Sequence, residues 1–341
     1  MRVVWHTSQI MKRELDQKTK NGRKAKSVLV TGGAGYIGSV TVKKLLDEGH
    51  SVVVVDNLYK GLRKFVDSRA TFYKADILNL KQLDTKLIGQ KFDVIMHFAG
   101  LKDAGESMSN PSLYQDNITG IMNLLKIAPK LGVSQFVFSS SAAVYGETGS
   151  GPITEAHSCN PTNFYGYTKL AGEHLLEWSR KLDKIEYVAL RYFNVAGDGG
   201  LGYVDPKAKN IFNVIGDVLC KRKKTLEIFG DDYDTLDGTG VRDYIHVSDL
   251  ADAHIKALEA KGSHVINLGS EKGYSVLEIV KEFERISAKK VPYKIIKRRA
   301  GDVATLITTS QTAKDILQWT PQLGLTDMVE STCDAYAISR A

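Results

Sequence analysis

The chain has 341 residues, 25% charged and 43% hydrophobic, which excludes a disordered, collagen-like or disulfide-built protein and leaves room for two folding units. Of the net charge of +7, six units fall within residues 1–27, where eight Lys and Arg side chains face only Glu14 and Asp16. The remainder is nearly neutral, so the basic balance marks a tail and not a nucleic-acid-binding face.

Taken in chain order, residues 1–26 lack the apolar segment of a secretory signal, and Glu14 and Asp16 argue against a mitochondrial presequence. We expect a basic, disordered tail there. Residues 26–31 read as a buried strand that runs into Gly32-Gly33-Ala34-Gly35-Tyr36-Ile37-Gly38, followed by a helix to about residue 48 and a second strand over 51–55, closing on Asp56. Further strands are predicted at 71–74, 94–98, 135–139 and 187–191, with helices between most of them. Alternation of this kind implies a doubly wound parallel sheet, an α/β fold of Rossmann type. Asn110-Pro111 opens a helix expected over 113–131 and ended by Gly132. Another helix is expected over 165–182. After Asn194 the pattern loosens into loops rich in glycine and aspartate at 197–205 and 229–240. We therefore divide the chain into a nucleotide-binding domain at 27–194 and a smaller substrate lobe at 195–341, with 236–254 returning to the first domain.

The glycines carry the first chemical signal. Gly33, Gly35 and Gly38 satisfy GxGxxG, and Gly32, Gly35 and Gly38 satisfy GxxGxxG, so spacing does not choose between the two fingerprints. In either case glycine allows the tight strand-to-helix turn and lets backbone approach a pyrophosphate at the positive end of the helix. Asp56 ends the next strand, where a carboxylate accepts both ribose hydroxyls of adenosine and repels a 2′-phosphate. Asn57-Leu58-Tyr59 offers no arginine to attract one. NAD is the expected cofactor.

The second signal is Tyr165 and Lys169, four residues apart and hence on one helix face. Ionising a tyrosine of pKa near 10 at pH 7 costs about 4 kcal/mol. A lysine ammonium about 4 Å away offers a similar amount at an effective dielectric of 20, before desolvation is charged against it, so lysine alone could roughly close the gap. The cationic ring of oxidised NAD would add to it. Ser139-Ser140-Ser141 ends the strand starting at 135, at the sheet edge where ligands bind, and a hydroxyl there can relay a proton. The three cysteines, Cys159, Cys220 and Cys333, have no metal-ligand or disulfide spacing, which fits a reducing cytoplasm. His246 and His254 with Asp249 and Asp252 lack one-turn spacing, so no metal is expected, and His97 reads as a packed residue and not a base. With no run of 18 apolar residues, no membrane span is expected.

From about residue 27 to the C-terminus the chain resembles the extended short-chain dehydrogenase/reductase family, and within it the branch that epimerises UDP-sugars at C4. The resemblance rests on GGAGYIGS from Gly32, HFAGLK from His97, SSSAAVYG from Ser139, YGYTK from Tyr165, RYFNVAG from Arg191, FGDDYDTLDGTGVRDYIHVSDLA from Phe229 and RRAGD from Arg298. It implies that Tyr165 is the base, Ser141 bridges it to the sugar, and Lys169 tunes it. It also implies cofactor contacts at Gly32, Gly35, Tyr36, Ile37, Gly38, Asp56, Asn57, Asp76, Ile77, Phe98, Ala99, Lys102 and Asn117. UDP-sugar contacts are implied at Phe193, Asn194, Asn210, Phe229, Arg242, Arg299 and Asp302, with Leu306 as a gate on the room beside the sugar. A homodimer built on the helices around 113–131 and 165–182 is implied as well.

Dehydratases of the family use Asp-Glu just after the serine or threonine, whereas this chain has Ala142-Ala143, which disfavours 4,6-dehydration. The expected reaction is interconversion of UDP-galactose and UDP-glucose. A UDP-uronate or UDP-N-acetylhexosamine 4-epimerase remains as an alternative, and an NAD-binding redox-sensing module without catalysis is the non-enzymatic one.

Overall fold

The computed structural model describes residues 22, 24–148, 151–204, 210–298 and 302–340. The tail expected at 1–26 lies largely outside them, as does Arg299. Strands β1 (Ser27–Thr31), β2 (Ser51–Asp56), β3 (Thr71–Lys74), β4 (Val94–His97), β5 (Gln135–Ser141), β6 (Glu186–Tyr192) and β10 (His264–Leu268) form one sheet in the order β10-β6-β5-β4-β1-β2-β3. Every pairing in it is parallel. Strand alternation sends Val28 and Val30 to one face and Leu29 to the other, and both faces are covered, which is why β1 reads as continuously apolar. Chain order reverses between β1 and β4, paired as Thr31 with His97. A crevice at the C-terminal strand ends opens at such a switch point.

Helices α1 (Tyr36–Glu48), α2 (Leu80–Lys86), α3 (Ala104–Ser109), α4 (Pro111–Tyr114), α5 (Asp116–Ile127) and α6 (Phe164–Asp183) connect these strands. The helix expected over 113–131 is thus two pieces broken at Gln115, and regular structure stops at Ile127. Pro129 is the reason for the early stop: it has no amide to continue the ladder. Ile121 and Leu124 of α5 pack on the sheet with Ile95, Phe136 and Phe138.

The second lobe contains β7 (Asn194–Ala196), α7 (Ile211–Leu219), β8 (Leu226–Phe229), β9 (Val241–His246), β11 (Gly273–Ser275), α9 (Val276–Ser287), β12 (Tyr293–Ile296), β13 (Thr305–Leu306) and α11 (Leu325–Ala335). Its own core joins Phe212 and Ile215 to Phe283 and Met328. The segment expected to return at 236–254 is displaced along the chain. Strand β9 pairs with β7, β11 and β13 in the second lobe. Helix α8 (Val247–Ala257) brings Leu250 and Ala253 into the core of the main sheet, with Leu317 of α10 (Gln311–Leu317) beside them. Strand β10 then adds to β6. Its His264-Val265-Ile266-Asn267-Leu268 run, with no acid, lysine or arginine, suits a buried parallel position better than the charged β9 does. No helix among the described residues is long and apolar enough to cross a membrane.

Candidate active site

Strand β1 passes into the glycine turn with Gly32 at φ +78°, a left-handed conformation, and a Cβ there would lie 2.4 Å from the backbone nitrogen of Ala99. A Cβ on Gly38 would lie 2.3 Å from the Gly32 carbonyl oxygen. Only glycine lets α1 press so closely on the turn. Helix α1 starts with Gly35 as its cap residue and no side-chain cap, so its leading amides suit phosphate oxygens. The adjoining Tyr36 hydroxyl donates to the Gly197 carbonyl of the second lobe, while Ile37 packs on the sheet core.

Asp56 is buried at the end of β2 and accepts from the Ala34 amide at 3.0 Å and the Leu58 amide at 2.8 Å. Burial raises its carboxyl above the ordinary range, and the two amides work against that. Asn57 donates to Asp76 at 3.0 Å. Asp76 also accepts from Leu78 at 2.9 Å, and Asn123 holds the Ile77 carbonyl at 2.9 Å. Phe98 and Ala99 both donate to the Thr31 carbonyl, at 2.9 and 3.1 Å. Lys102 follows on the loop before α3, and Asn117 ties that loop to α6 by bonding Leu101 amide and carbonyl and, at 3.2 Å, the Thr168 hydroxyl. These residues form one continuous edge over β1, β2, β3 and β4. Its geometry fits a dinucleotide.

At the next strand along, α6 begins with the Asn163 side chain accepting from Gly166 at 2.9 Å, and the Tyr165 amide donates to the Ser107 hydroxyl at 3.0 Å. Tyr165 and Lys169 share a helix face, as expected. The Lys169 ammonium lies 5.8 Å from the Tyr165 ring centre and donates to the Ser139 carbonyl at 2.7 Å. The Ser141 hydroxyl accepts from the Ala143 amide at 3.2 Å and lies near enough to Tyr165 to pull its phenol partly down. One expectation needs correction: Tyr165 is raised, not lowered. Burial pushes the phenol up, with Ser141 pulling partly back, while burial lowers Lys169 to about 8 against the opposing pull of Glu173. Lysine alone therefore does not close the gap, because desolvation acts on both groups and its ammonium is directed at a carbonyl.

His97 is buried, bonds the Thr31 hydroxyl at 2.7 Å and stacks on Phe138, held neutral by burial at a pKa of about 3. His246 caps α8, and His254 bonds Tyr192 and the Leu250 carbonyl.

Across the crevice, Phe193 is buried and packs with Val144, Tyr145 and Ile153, and Leu306 lies against the same cluster. Asn194 donates to the Asp243 carbonyl at 3.2 Å. Both ends of the Asn210 amide are engaged, one with the Val195 carbonyl and the other capping α7 at Phe212. Phe229 ends β8. Arg242 donates to the Val241 carbonyl at 2.9 Å and pairs with Asp302 at 3.5 Å, beside Leu306, its partner across β9 and β13.

Sequence reasoning passed over two buried groups. Asp243 holds the loop after β10 by accepting from Ser270 amide and hydroxyl, at 2.6 and 2.9 Å, and burial raises it to about 6. Its signal was an acid alternating inward in Val241-Arg242-Asp243-Tyr244. The other is Glu173, one turn beyond Lys169, whose buried partner is Arg191.

The glycine turn, the buried Asp56 at the end of β2 and the Ser/Tyr/Lys wall on one sheet edge are the features of an NAD-dependent enzyme of the short-chain dehydrogenase/reductase type. Residues 28–269 match the model of the NAD dependent epimerase/dehydratase family, and the chain belongs to that family. It is 45% identical over 314 residues to the UDP-glucose 4-epimerase of Lacticaseibacillus casei, spanning 90% of this chain and 95% of that protein. The UDP-glucose 4-epimerase of Brucella ovis, solved in complex with NAD, superposes with a TM-score of 0.89 at 36% identity, covering 93% of this chain and 100% of that one. The Bifidobacterium longum UDP-glucose 4-epimerase, solved with NAD+ and UDP, gives 0.86 at 37% identity, covering 91% and 98%.

Proposed function

We propose that the protein interconverts UDP-galactose and UDP-glucose through oxidation and re-reduction at sugar C4. The observation that carries this is the continuity of the two halves of the edge. Ala99 backs on Gly32 of the phosphate turn, and at the next residue, Gly100, a Cβ would lie 3.9 Å from the Lys169 ammonium. A dinucleotide laid over the turn thus reaches the Tyr165 wall.

When bound, NAD supplies the hydride acceptor for C4 and, in its oxidised form, a positive charge beside the phenol. Tyr165 takes the proton of the 4-hydroxyl, with Ser141 bridging the two oxygens. Because burial holds Tyr165 above its ordinary value, phenolate forms only when cations flank it. Lys169 is one of them. Proton removal is thereby linked to the oxidised state of the site. With the cofactor bound, the 4-keto sugar would turn over and take the same hydride back on its other face, and Tyr165 would return the proton. Arg242 holds the pyrophosphate, Phe229 lies near the uracil, and Asn194, Asn210 and Asp302 frame the remainder. Phe193 and Leu306 close round the sugar.

We assign 27–194 together with 247–268 to the NAD domain and the rest of 195–340 to the UDP-sugar lobe. We also assign a homodimer paired through α5 and α6, supported by the exposed Met122, Tyr167, Trp178 and Leu182. A cytoplasmic location suits three unpaired thiols, Cys159, Cys220 and Cys333. The direct test is incubation of the purified protein with UDP-galactose and no added NAD. UDP-glucose forms if the reading holds; no conversion by protein shown to carry NAD overturns it.

A further inference from the structure

Helix α6 presents Tyr165, Lys169 and Glu173 at successive turns of one face. Each meets a different member of the serine run that ends β5. Ser141 pulls the raised Tyr165 phenol partly back, Lys169 donates to the Ser139 carbonyl at 2.7 Å, and the Ser140 hydroxyl donates to Glu173 at 2.5 Å. The first two contacts belong to the wall already described. The third has no part in it, although Ser140 and Glu173 are 1% and 4% exposed.

Glu173 does more than accept from serine. The Arg191 guanidinium meets it with two parallel bonds, Nε to Oε1 at 2.9 Å and Nη2 to Oε2 at 2.6 Å. Arg191 sits on β6 opposite Ser140 of β5 and Asn267 of β10. Its remaining fork donates to the Tyr145 hydroxyl at 2.9 Å, and Tyr145 donates in turn to Asn267 at 2.6 Å. One carboxylate therefore links α6 to three neighbouring strands. A fork of this kind fixes direction as well as distance. An error in α6 register would break the Ser140 bond together with the Lys169 bond to Ser139.

We propose that Glu173, oriented by Arg191, is a positioning residue that sets α6 against the three serines and keeps the Lys169 ammonium charged beside Tyr165. This inference rests on the reading of Tyr165 as the base. Burial alone drives Lys169 toward its neutral form, and Glu173 is the group opposing that. The titratable groups facing Lys169 are Tyr165 and Glu173 on its own helix and His97 on β4, itself held neutral. Arg191 and Tyr192 on β6 stand behind Glu173 and Tyr165 respectively.

The test uses the NAD-bound protein and two variants. Glu173→Gln keeps shape but leaves Arg191 buried without its charge partner, which threatens folding. The paired change Glu173→Gln with Arg191→Met removes both charges, and buried pairs replaced in this way usually leave a folded protein. With UDP-galactose we expect the pair to lower kcat at least tenfold with KM little changed. The alkaline limb of its kcat profile should move down by about one pH unit. The phenolate absorbance of Tyr165, isolated by subtracting the matching Tyr165→Phe protein, should appear at higher pH than in the parent.

Unchanged kcat and an unchanged phenolate titration overturn the inference. If the parent protein converts no UDP-galactose but its phenolate titration shifts on the paired change, the positioning inference stands and the proposed reaction falls.

Discussion

The two walls of the crevice are built from different materials. The proposed nucleotide wall leans on backbone, with a left-handed Gly32 and amides at the start of α1, joined by the Asp56 carboxylate at the end of β2, all close to regular secondary structure. The proposed sugar-nucleotide wall is side chain, brought from separate elements: Phe193 after β6, Arg242 on β9, Asp302 before β13 and Leu306 on it. The first kind of wall is sensitive to a single added methyl group. The second is expected to answer mainly to charge, and to shape at Leu306. Between them stands α6, which belongs to both.

That contrast can be broken or sharpened by mutation. The largest effect is expected at α6: Tyr165→Phe should lower kcat about 10²–10⁴-fold while bound NAD is retained, read by turnover and by cofactor released on denaturation. On the nucleotide wall, Gly32→Ala forces an L-residue into φ +78° against the Ala99 backbone, strain of about 1–3 kcal/mol before the clash is counted. It should purify without NAD, and NAD titration should show at least tenfold weaker binding; full retention would show the wall to be less rigid than described. On the opposite wall, Arg242→Ala should raise KM for UDP-galactose about 10–100-fold, the worth of a charged hydrogen bond, with a smaller change in kcat. Leu306→Tyr should produce the smallest change, sparing UDP-galactose turnover and reducing any turnover of UDP-N-acetylgalactosamine. Equal loss of both would remove Leu306 as a gate.

The core beneath the walls carries its own pH signature. His97, His246 and His254 fall from 6.5 to about 3, 4 and 4 because burial excludes the charged form. Their folded values lie below the unfolded one, so the stability they protect is present above pH 6.5 and lost as pH falls toward 4. Tm should decline over that window, and His254→Asn should flatten the decline.

Legibility followed the same division. The β1 turn, Asp56 and the Tyr165/Lys169 spacing could be read because each depends on neighbours within a turn or a strand. Pro129 shortened the helix expected over 113–131 because a missing amide outweighs apolar periodicity. The sign of the Tyr165 shift was not legible. It depends on how many strands bury the phenol and where the Lys169 ammonium points, neither of which spacing contains. Strand β10 was missed for a related reason: a short apolar run gains its place only by pairing with β6, far away in the chain. Glu173 was visible as an acid one turn past Lys169, but its significance required Arg191, which is distant in sequence.

The central claim is that one hydride leaves C4 and comes back within a closed site. UDP-galactose carrying deuterium at C4 tests it most directly, with the NAD-bound protein in ordinary water. The account predicts UDP-glucose with the deuterium still at C4. Loss of the label to solvent would contradict it.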